Sequence, residues 1–200
     1  MRCGTMRLIA VVATMVAVTS QGKANFVIDG GFESGAFTPN WSQSGNTGST
    51  AVATGQYAKT GNFGAALAPV GSSGFLAQQL SLTTGLTYTL SYDLGVFALG
   101  NPTPINSFSV SIGTGGTLTS LTLTNAPVAP YAHFSTNFTL AGPGSASLQF
   151  AFRNDPGSFG LDNVDVSLAS ASVATPLPPT LLAGFVGMAL LAGVRRLRRT

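Results

Sequence analysis

Cysteine is almost missing from this 200-residue chain: the single one is Cys3. Histidine is equally scarce, with His133 alone, and charged residues make up only 8 % of the sequence. One thiol cannot form an internal disulfide, and one histidine beside one cysteine cannot build a His- or Cys-rich zinc site. A Ser-His-Asp triad would have to use His133, whose context YAHFSTNF alternates like the edge of a strand. There is no Gly-x-Ser-x-Gly elbow and no phosphate-cradling loop ending in Gly-Lys-Ser/Thr. Glycoside hydrolysis takes two carboxylates across a cleft. The six acids of the chain, Asp29, Glu33, Asp93, Asp155, Asp162 and Asp165, stand in turn and strand-end contexts. A non-enzymatic protein is expected, with a sandwich-fold esterase or glycosidase as the less favoured alternative.

Basic residues are missing from the middle. Of nine Lys and Arg, three (Arg2, Arg7, Lys23) precede Ala24 and four (Arg195, Arg196, Arg198, Arg199) lie in the last six positions. Lys59 and Arg153 alone face the six acids between them, a net −4 for the central segment. The overall charge of +3 therefore misleads, and the clustered cations that phosphate binding requires are not there. No nucleic-acid partner is expected.

What is present at the two ends is hydrophobic. MRCGTMRLIAVVATMVAVTSQGKA places two arginines before an apolar run from Leu8 to Val18, with a small residue, Ala24, beyond it. That is the layout of a signal peptide over residues 1–24, read by the secretion translocon and cut by signal peptidase after Ala24. Cys3 would leave with it. The other end, TPLPPTLLAGFVGMALLAGVRRLRRT, has a proline-rich step at 171–179, an apolar run, and a basic tail at 195–200. Counted from Leu177 to Val194 the run measures ~27 Å as a helix at ~1.5 Å per residue, enough for a thin bilayer. Residues 180–194 are expected to be the transmembrane helix, with the arginines on the cytoplasmic side of the inner membrane.

This order of a short proline motif, an apolar helix and terminal arginines resembles the PEP-CTERM sorting signal of Gram-negative bacteria. Thr175, Pro176, Leu177, Pro178 and Pro179 occupy the motif's place, with Leu177 where the namesake glutamate would stand, so the match is nearer the Pro-Leu-Pro variant. The resemblance implies processing by an exosortase-type enzyme. It also implies a precursor held transiently in the inner membrane, then a product at the cell surface or outside it, associated with exopolysaccharide and biofilm. A permanently anchored periplasmic protein is the alternative.

Between residues 25 and 170 the pattern has a period of two. Leu86, Tyr88, Leu90, Tyr92 and Leu94 alternate with polar residues, as do Phe108, Val110 and Ile112, Leu121 and Leu123, Leu148, Phe150 and Phe152, then Val164, Val166 and Leu168. Alternation of this kind marks strands with one buried face. Turn-rich links separate them, and the spacing predicts an all-β domain, an antiparallel two-sheet sandwich. Residues 42–60 are polar and glycine-rich, and are expected to form a loop with one short strand near 50–53.

Two motifs stand at either end of this domain: NFVIDGGFESG at 25–35, followed by Trp41, and FAFRNDPGSFGLDNVDVSL at 150–168. With the strand GLTYTL at 85–90, they resemble galactose-binding-like jelly rolls, including several carbohydrate-binding modules. The resemblance implies a jelly-roll topology in which the first and last strands meet. It also implies a structural calcium there, with carboxylates from Glu33 and Asp162 and carbonyls such as that of Gly31, a ligand set that suits a hard cation. Trp41 and Tyr131 are the candidate sugar contacts, with Tyr57, Phe63 and Phe97 in loops beside them. Trp41 has a second reading, as a core residue. The expected function is placement and binding, extracellular polysaccharide being the partner.

Overall fold

The computed structural model describes residues 23–98, 105–113, 118–140 and 145–169. The chain divides into two units, Met1–Ala169 and Ser170–Thr200. The signal peptide before residue 23, the motif Thr175–Pro179, the helix at 180–194 and the arginines at 195–199 all lie outside the described residues. Ala24, at the expected cleavage point, is described and exposed. Among the described residues no helix is long and apolar enough to cross a membrane.

Ten strands form two antiparallel sheets: β1 Ser42–Gly45, β2 Thr50–Ala53, β3 Gly64–Leu67, β4 Gly74–Leu80, β5 Thr87–Ala98, β6 Ile105–Gly113, β7 Leu118–Thr124, β8 Ala129–Thr139, β9 Ala146–Asp155 and β10 Gly157–Leu168. The first sheet has the order β1-β4-β9-β6-β7 and the second the order β2-β3-β10-β5-β8. This is the all-β sandwich that the alternation predicts. One 3-10 turn, Gly55–Tyr57, interrupts it. The stretch expected to be loop also contains β1, a fully exposed strand with no apolar residue to reveal it.

The core follows from the period of two. Tyr88, Leu90, Tyr92 and Leu94 of β5 face Phe108, Val110 and Ile112 of β6 and Leu148, Phe150 and Phe152 of β9, all buried. Aromatic rings knit the layers, with Phe108 against Phe159 at 5.4 Å and Tyr92 edge-on to Phe150 at 5.6 Å. Edge-to-face contacts at these spacings add about 0.5–1.5 kcal/mol each beyond burial. The pattern overreaches at its ends: Leu86, just before β5, and Leu168, the last residue of β10, are 44 % and 45 % exposed.

The N-terminal segment clasps the last strand, as the resemblance implies, although it is not itself a strand. Phe26 N donates to Val166 O, Val164 N donates to Gly30 O, and Asn25 Oδ1 accepts from Val27 N and Val166 N. Gly30 is needed here because any Cβ would run into the Val164 carbonyl. Phe32 and Trp41 then drop into the core side by side, their ring centroids 5.6 Å apart.

Candidate functional site

Trp41 cannot meet a ligand. It is 1 % exposed, its ring packs on Phe32 and Phe150, and its indole N–H donates to the Asp29 carbonyl at 3.1 Å. This corrects the assignment of Trp41 as a sugar contact in favour of the core reading: no face of the ring reaches solvent. Phe63 packs near Gly35. Tyr57, Phe97 and Tyr131 do come together, but two of them stand on strands, not loops.

The meeting place is the outer face of the second sheet. In β5, Asp93, Gly95 and Phe97 point away from the core, and in β10 so do Ser158, Gly160 and Asp162, register partners Phe97↔Ser158, Gly95↔Gly160 and Asp93↔Asp162. His133 of β8 pairs with Asp93 on the other side. Gly95 and Gly160 make a floor without side chains, and two rings occupy it. A Cβ on Gly160 would overlap the Tyr131 hydroxyl and stand 2.6 Å from Phe97 Cε2, and one on Gly95 would stand 2.7 Å from Phe97 Cζ. Phe97 meets Tyr131 edge-on at 5.6 Å and Tyr57 edge-on at 5.7 Å. Tyr131 O–H donates to the Tyr57 carbonyl at 2.7 Å, and the Tyr57 hydroxyl lies 2.9 Å from Ser158 Oγ. Burial, followed by the nearby Asp162 and Asp93 charges, pushes the Tyr131 hydroxyl well above its usual range, so it stays a protonated donor.

A polar line runs beside this aromatic shelf, two residues along the strands and so about 7 Å away. His133 Nδ1 is 2.9 Å from Asp93 Oδ1, Asn163 Nδ2 donates to Asp93 Oδ2 at 2.7 Å, and Thr60 Oγ1 donates to Asn163 Oδ1 at 2.6 Å. His133 remains 61 % exposed in its side chain. With Nδ1 turned to the carboxylate, its Nε2 is the nitrogen left to face solvent. An aromatic shelf next to a polar line, in which His133 and Thr60 are exposed and Asp93 is buried, offers an apolar ring face and hydrogen-bonding partners on one surface, the two demands of a sugar ring. Asp93, which stood in the sequence only among the six acids of the chain, and Asn163, which stood only within the 150–168 motif, were not expected at a binding site.

Glu33 and Asp162 converge on the loop that leads from Tyr57 to β3. Asp162 Oδ2 accepts from Lys59 N and Thr60 N at 2.8 and 3.0 Å, and Asp162 Oδ1 accepts from Asn163 N at 2.6 Å. Glu33 accepts from Asn62 N and Phe63 N at 3.0 and 3.1 Å. Gly31 lies between them: a Cβ there would be 3.7 Å from both Asp162 Oδ1 and Glu33 Cγ. Burial raises the Asp162 carboxyl, the amide bonds pull it down, and the Glu33 charge raises it further. Neither carboxylate has an ion-pair partner among the described residues. Two converging negative charges without a counter-charge fit a hard divalent cation in charge and donor type. No group of three or more His, Cys, Asp or Glu that could hold a metal occurs among the described residues, so main-chain carbonyls would have to complete the shell.

No family model and no curated protein matches this chain. Solved structures do. TmCBM61, solved in complex with β-1,4-galactotriose, is similar over 73 % of this chain and 99 % of its own, with a TM-score of 0.59 and 14 % identity. A family 16 carbohydrate-binding module is similar over 71 % and 99 %, with a TM-score of 0.52 and 15 % identity. A Stig cyclase, Fisc from Fischerella sp. TAU, covers 76 % and 100 % with a TM-score of 0.55 and 17 % identity. At such identities the likeness is one of fold: this chain shares its two-sheet sandwich with binding modules and with cyclases alike.

Proposed function

We propose that this chain is an exported, non-catalytic surface or matrix protein with a jelly-roll sandwich that binds a neutral polysaccharide segment on the outer face of its second sheet. One observation carries the reading: Phe97, Tyr131 and Tyr57 form a shelf over a glycine floor, flanked by the His133–Asp93–Asn163 line. The solved modules of the same fold, one of them holding a galactotriose, support it. The surroundings are acidic, with Asp93, Asp162 and Asp165 on β5 and β10, which favours an uncharged glycan over a uronate. A glycan array of residues 25–170 tests the reading. Binding to a neutral polysaccharide that falls at least ~10-fold in Phe97→Ala and Tyr57→Ala, about 1.4 kcal/mol, supports it; binding that both variants retain in full refutes it.

The ends of the chain complete the proposal. Residues 1–24 direct export through the translocon, and the segment from Thr175 to Arg199 serves as an exosortase-type sorting signal held briefly in the inner membrane. Mass spectrometry of membrane and secreted fractions decides this: an intact peptide ending in RRLRRT, found quantitatively in membranes, is the result of permanent anchoring instead. Calcium held by Glu33 and Asp162, with carbonyls such as that of Gly31, is proposed as a structural ion that pins the 59–63 loop and so seats Tyr57. A catalytic reading has the likeness to the cyclases and the His133–Asp93 pair in its favour. Turnover of any substrate that disappears in both Asp93→Asn and His133→Ala, with the fold intact by circular dichroism, would establish it.

A further inference from the structure

The two sides of the sandwich end differently. One side is closed by β1 and β2, four residues each, whereas the other ends in β7 and β8, seven and eleven residues long. Exposed sheet edges are templates for another strand, and proteins blunt them by shortness, charge, proline or bulges. The short side uses the first device. On the long side β7 carries a bulge, its register with β6 shifting between Leu121 and Thr119, whereas β8 uses none of these devices from Tyr131 to Thr139, a stretch without Asp, Glu, Lys, Arg or Pro. The pairing of β8 with β5 is unbroken from Thr139↔Thr87 to Ala132↔Leu94, the irregularity coming only beyond it. Among the described residues no strand pairs with the outer side of β8. At this same edge the gap between the sheets opens as a cleft of about 60 Å³ lined by Tyr92, Leu121, Phe134, Ser135 and Thr136.

We infer that β8 is a self-association edge: a second copy of this chain adds to it antiparallel, β8 on β8, joining two five-stranded sheets into one of ten strands. The edge is complementary to itself. An antiparallel pairing centred on Ser135 sets Tyr131 opposite Thr139 and His133 opposite Asn137 on the outer face, with Phe134 opposite Thr136 and Ala132 opposite Phe138 on the inner one. The strand contains no Asp, Glu, Lys or Arg, Tyr131 stays protonated, and His133 meets an amide, so no like charges are brought together. A twofold axis of this kind closes the assembly at two copies. It also merges the two outer faces that carry Phe97 and Tyr131, placing two shelves on one continuous surface. A polymer reaching both would gain avidity without any new contact.

The test uses the full chain with Cys3→Ser, which removes the native thiol. Ser135→Cys in that background places the new thiol on the proposed axis, and Ser44→Cys places one on the opposite, short edge. Mild oxidation should give disulfide-linked dimer from Ser135→Cys in at least ~10-fold excess over Ser44→Cys; equal yields overturn the inference. Sedimentation of the full chain in mild detergent supplies the second readout. The parent chain should run as a dimer and Ser135→Lys, which sets two ammonium groups together, as a monomer with unchanged circular dichroism. A parent chain that stays monomeric, or a dimer that Ser135→Lys leaves intact, overturns it as well.

Discussion

Adding one methyl group at Gly160 should damage the aromatic shelf while leaving the core alone. Phe159 and Leu161 point inward and are fully buried, so Gly160→Ala changes nothing beneath the sheet. Above it, the new Cβ overlaps the Tyr131 hydroxyl and comes within 2.6 Å of Phe97 Cε2. Both rings must lift. Overpacking of this kind costs about 1–3 kcal/mol. Losing the bond from Tyr131 O–H to the Tyr57 carbonyl costs about 0.5–1.5 kcal/mol more. Against these, alanine regains about 0.5–1 kcal/mol over glycine in a strand interior. The net is a destabilisation of about 0.5–4 kcal/mol, or a fall in Tm of roughly 2–13 °C for a domain of this size. Differential scanning calorimetry measures it, and near-ultraviolet circular dichroism reports whether the tyrosine environment changes. Ligand affinity should fall with stability, since the rings that lift are those proposed to stack on sugar. A variant with Tm within 1 °C of the parent and an unchanged near-ultraviolet spectrum would refute the close seating of Phe97 and Tyr131 on the glycine floor, and the site built on it.

Trp41→Ala should cost about 3–5 kcal/mol, as for large aromatic truncations in cores, and urea unfolding should show it; a loss below ~1 kcal/mol would mean that the ring is not buried as described. Calcium should raise Tm, by the equivalent of about 2.7 kcal/mol at a hundredfold excess over Kd, and Glu33→Gln with Asp162→Asn should abolish the rise. A shift that persists in the double variant places the ion elsewhere. The raised Asp162 carboxyl predicts a pH effect in EDTA, where protons do not compete with a metal. A folded-state pKa above the unfolded one means that the folded form binds the proton more tightly, so stability falls as pH rises through that window and grows as pH drops back through it. The parent should therefore gain stability relative to Asp162→Asn on acidification from neutral pH; a gap independent of pH contradicts the shift.

Strands were legible where large apolar side chains alternate against a facing layer. β5, β6 and β9 bury large apolar side chains at alternate positions, and β10 does so on either side of its bulge; burial of those side chains is what makes the period visible. β4 hides its period because Gln78, a polar residue, occupies a core position. It earns that place by hydrogen bonding: Gln78 accepts from Ile28 N and donates to the Ile28 and Asn40 carbonyls, tying the N-terminal segment to the first sheet. β1 hides because an edge strand that buries nothing needs no apolar residue, only backbone pairing from Ser42↔Ala77 to Gly45↔Gly74. The tie between Asn25–Gly31 and β10 was expected only from the family resemblance of the motifs at each end; in the structure Asn25 supplies its side-chain bonds and Gly30 permits the close approach of the two backbones.

The site is a different case, because its residues are neighbours only through sheet order. Tyr57, Phe97, Tyr131 and Ser158 lie in four separate segments, and nothing local distinguishes their rings from Trp41, which went to the core. One signal was nevertheless present. Gly95 in DLGVF is the one glycine of β5, and Gly160 in SFGLD is the one glycine of β10 beyond its first residue, Gly157; an interior strand glycine marks a spot where something else comes close. The register sets these two glycines opposite each other, and the bulge between Asp162 and Asp165, with Asn163 at φ 53°, lets Asn163 reach Asp93 on the same face. Two vacancies in adjacent strands cost the sheet packing and conformational entropy that alanine would restore, and they lie on the solvent side, where the core gains nothing from them. The rings of Phe97 and Tyr131 that fill this floor make the loss intelligible: the sheet gives up side chains at its centre so that aromatic faces can lie low, at a level where a second ring, that of a ligand, can lie across them.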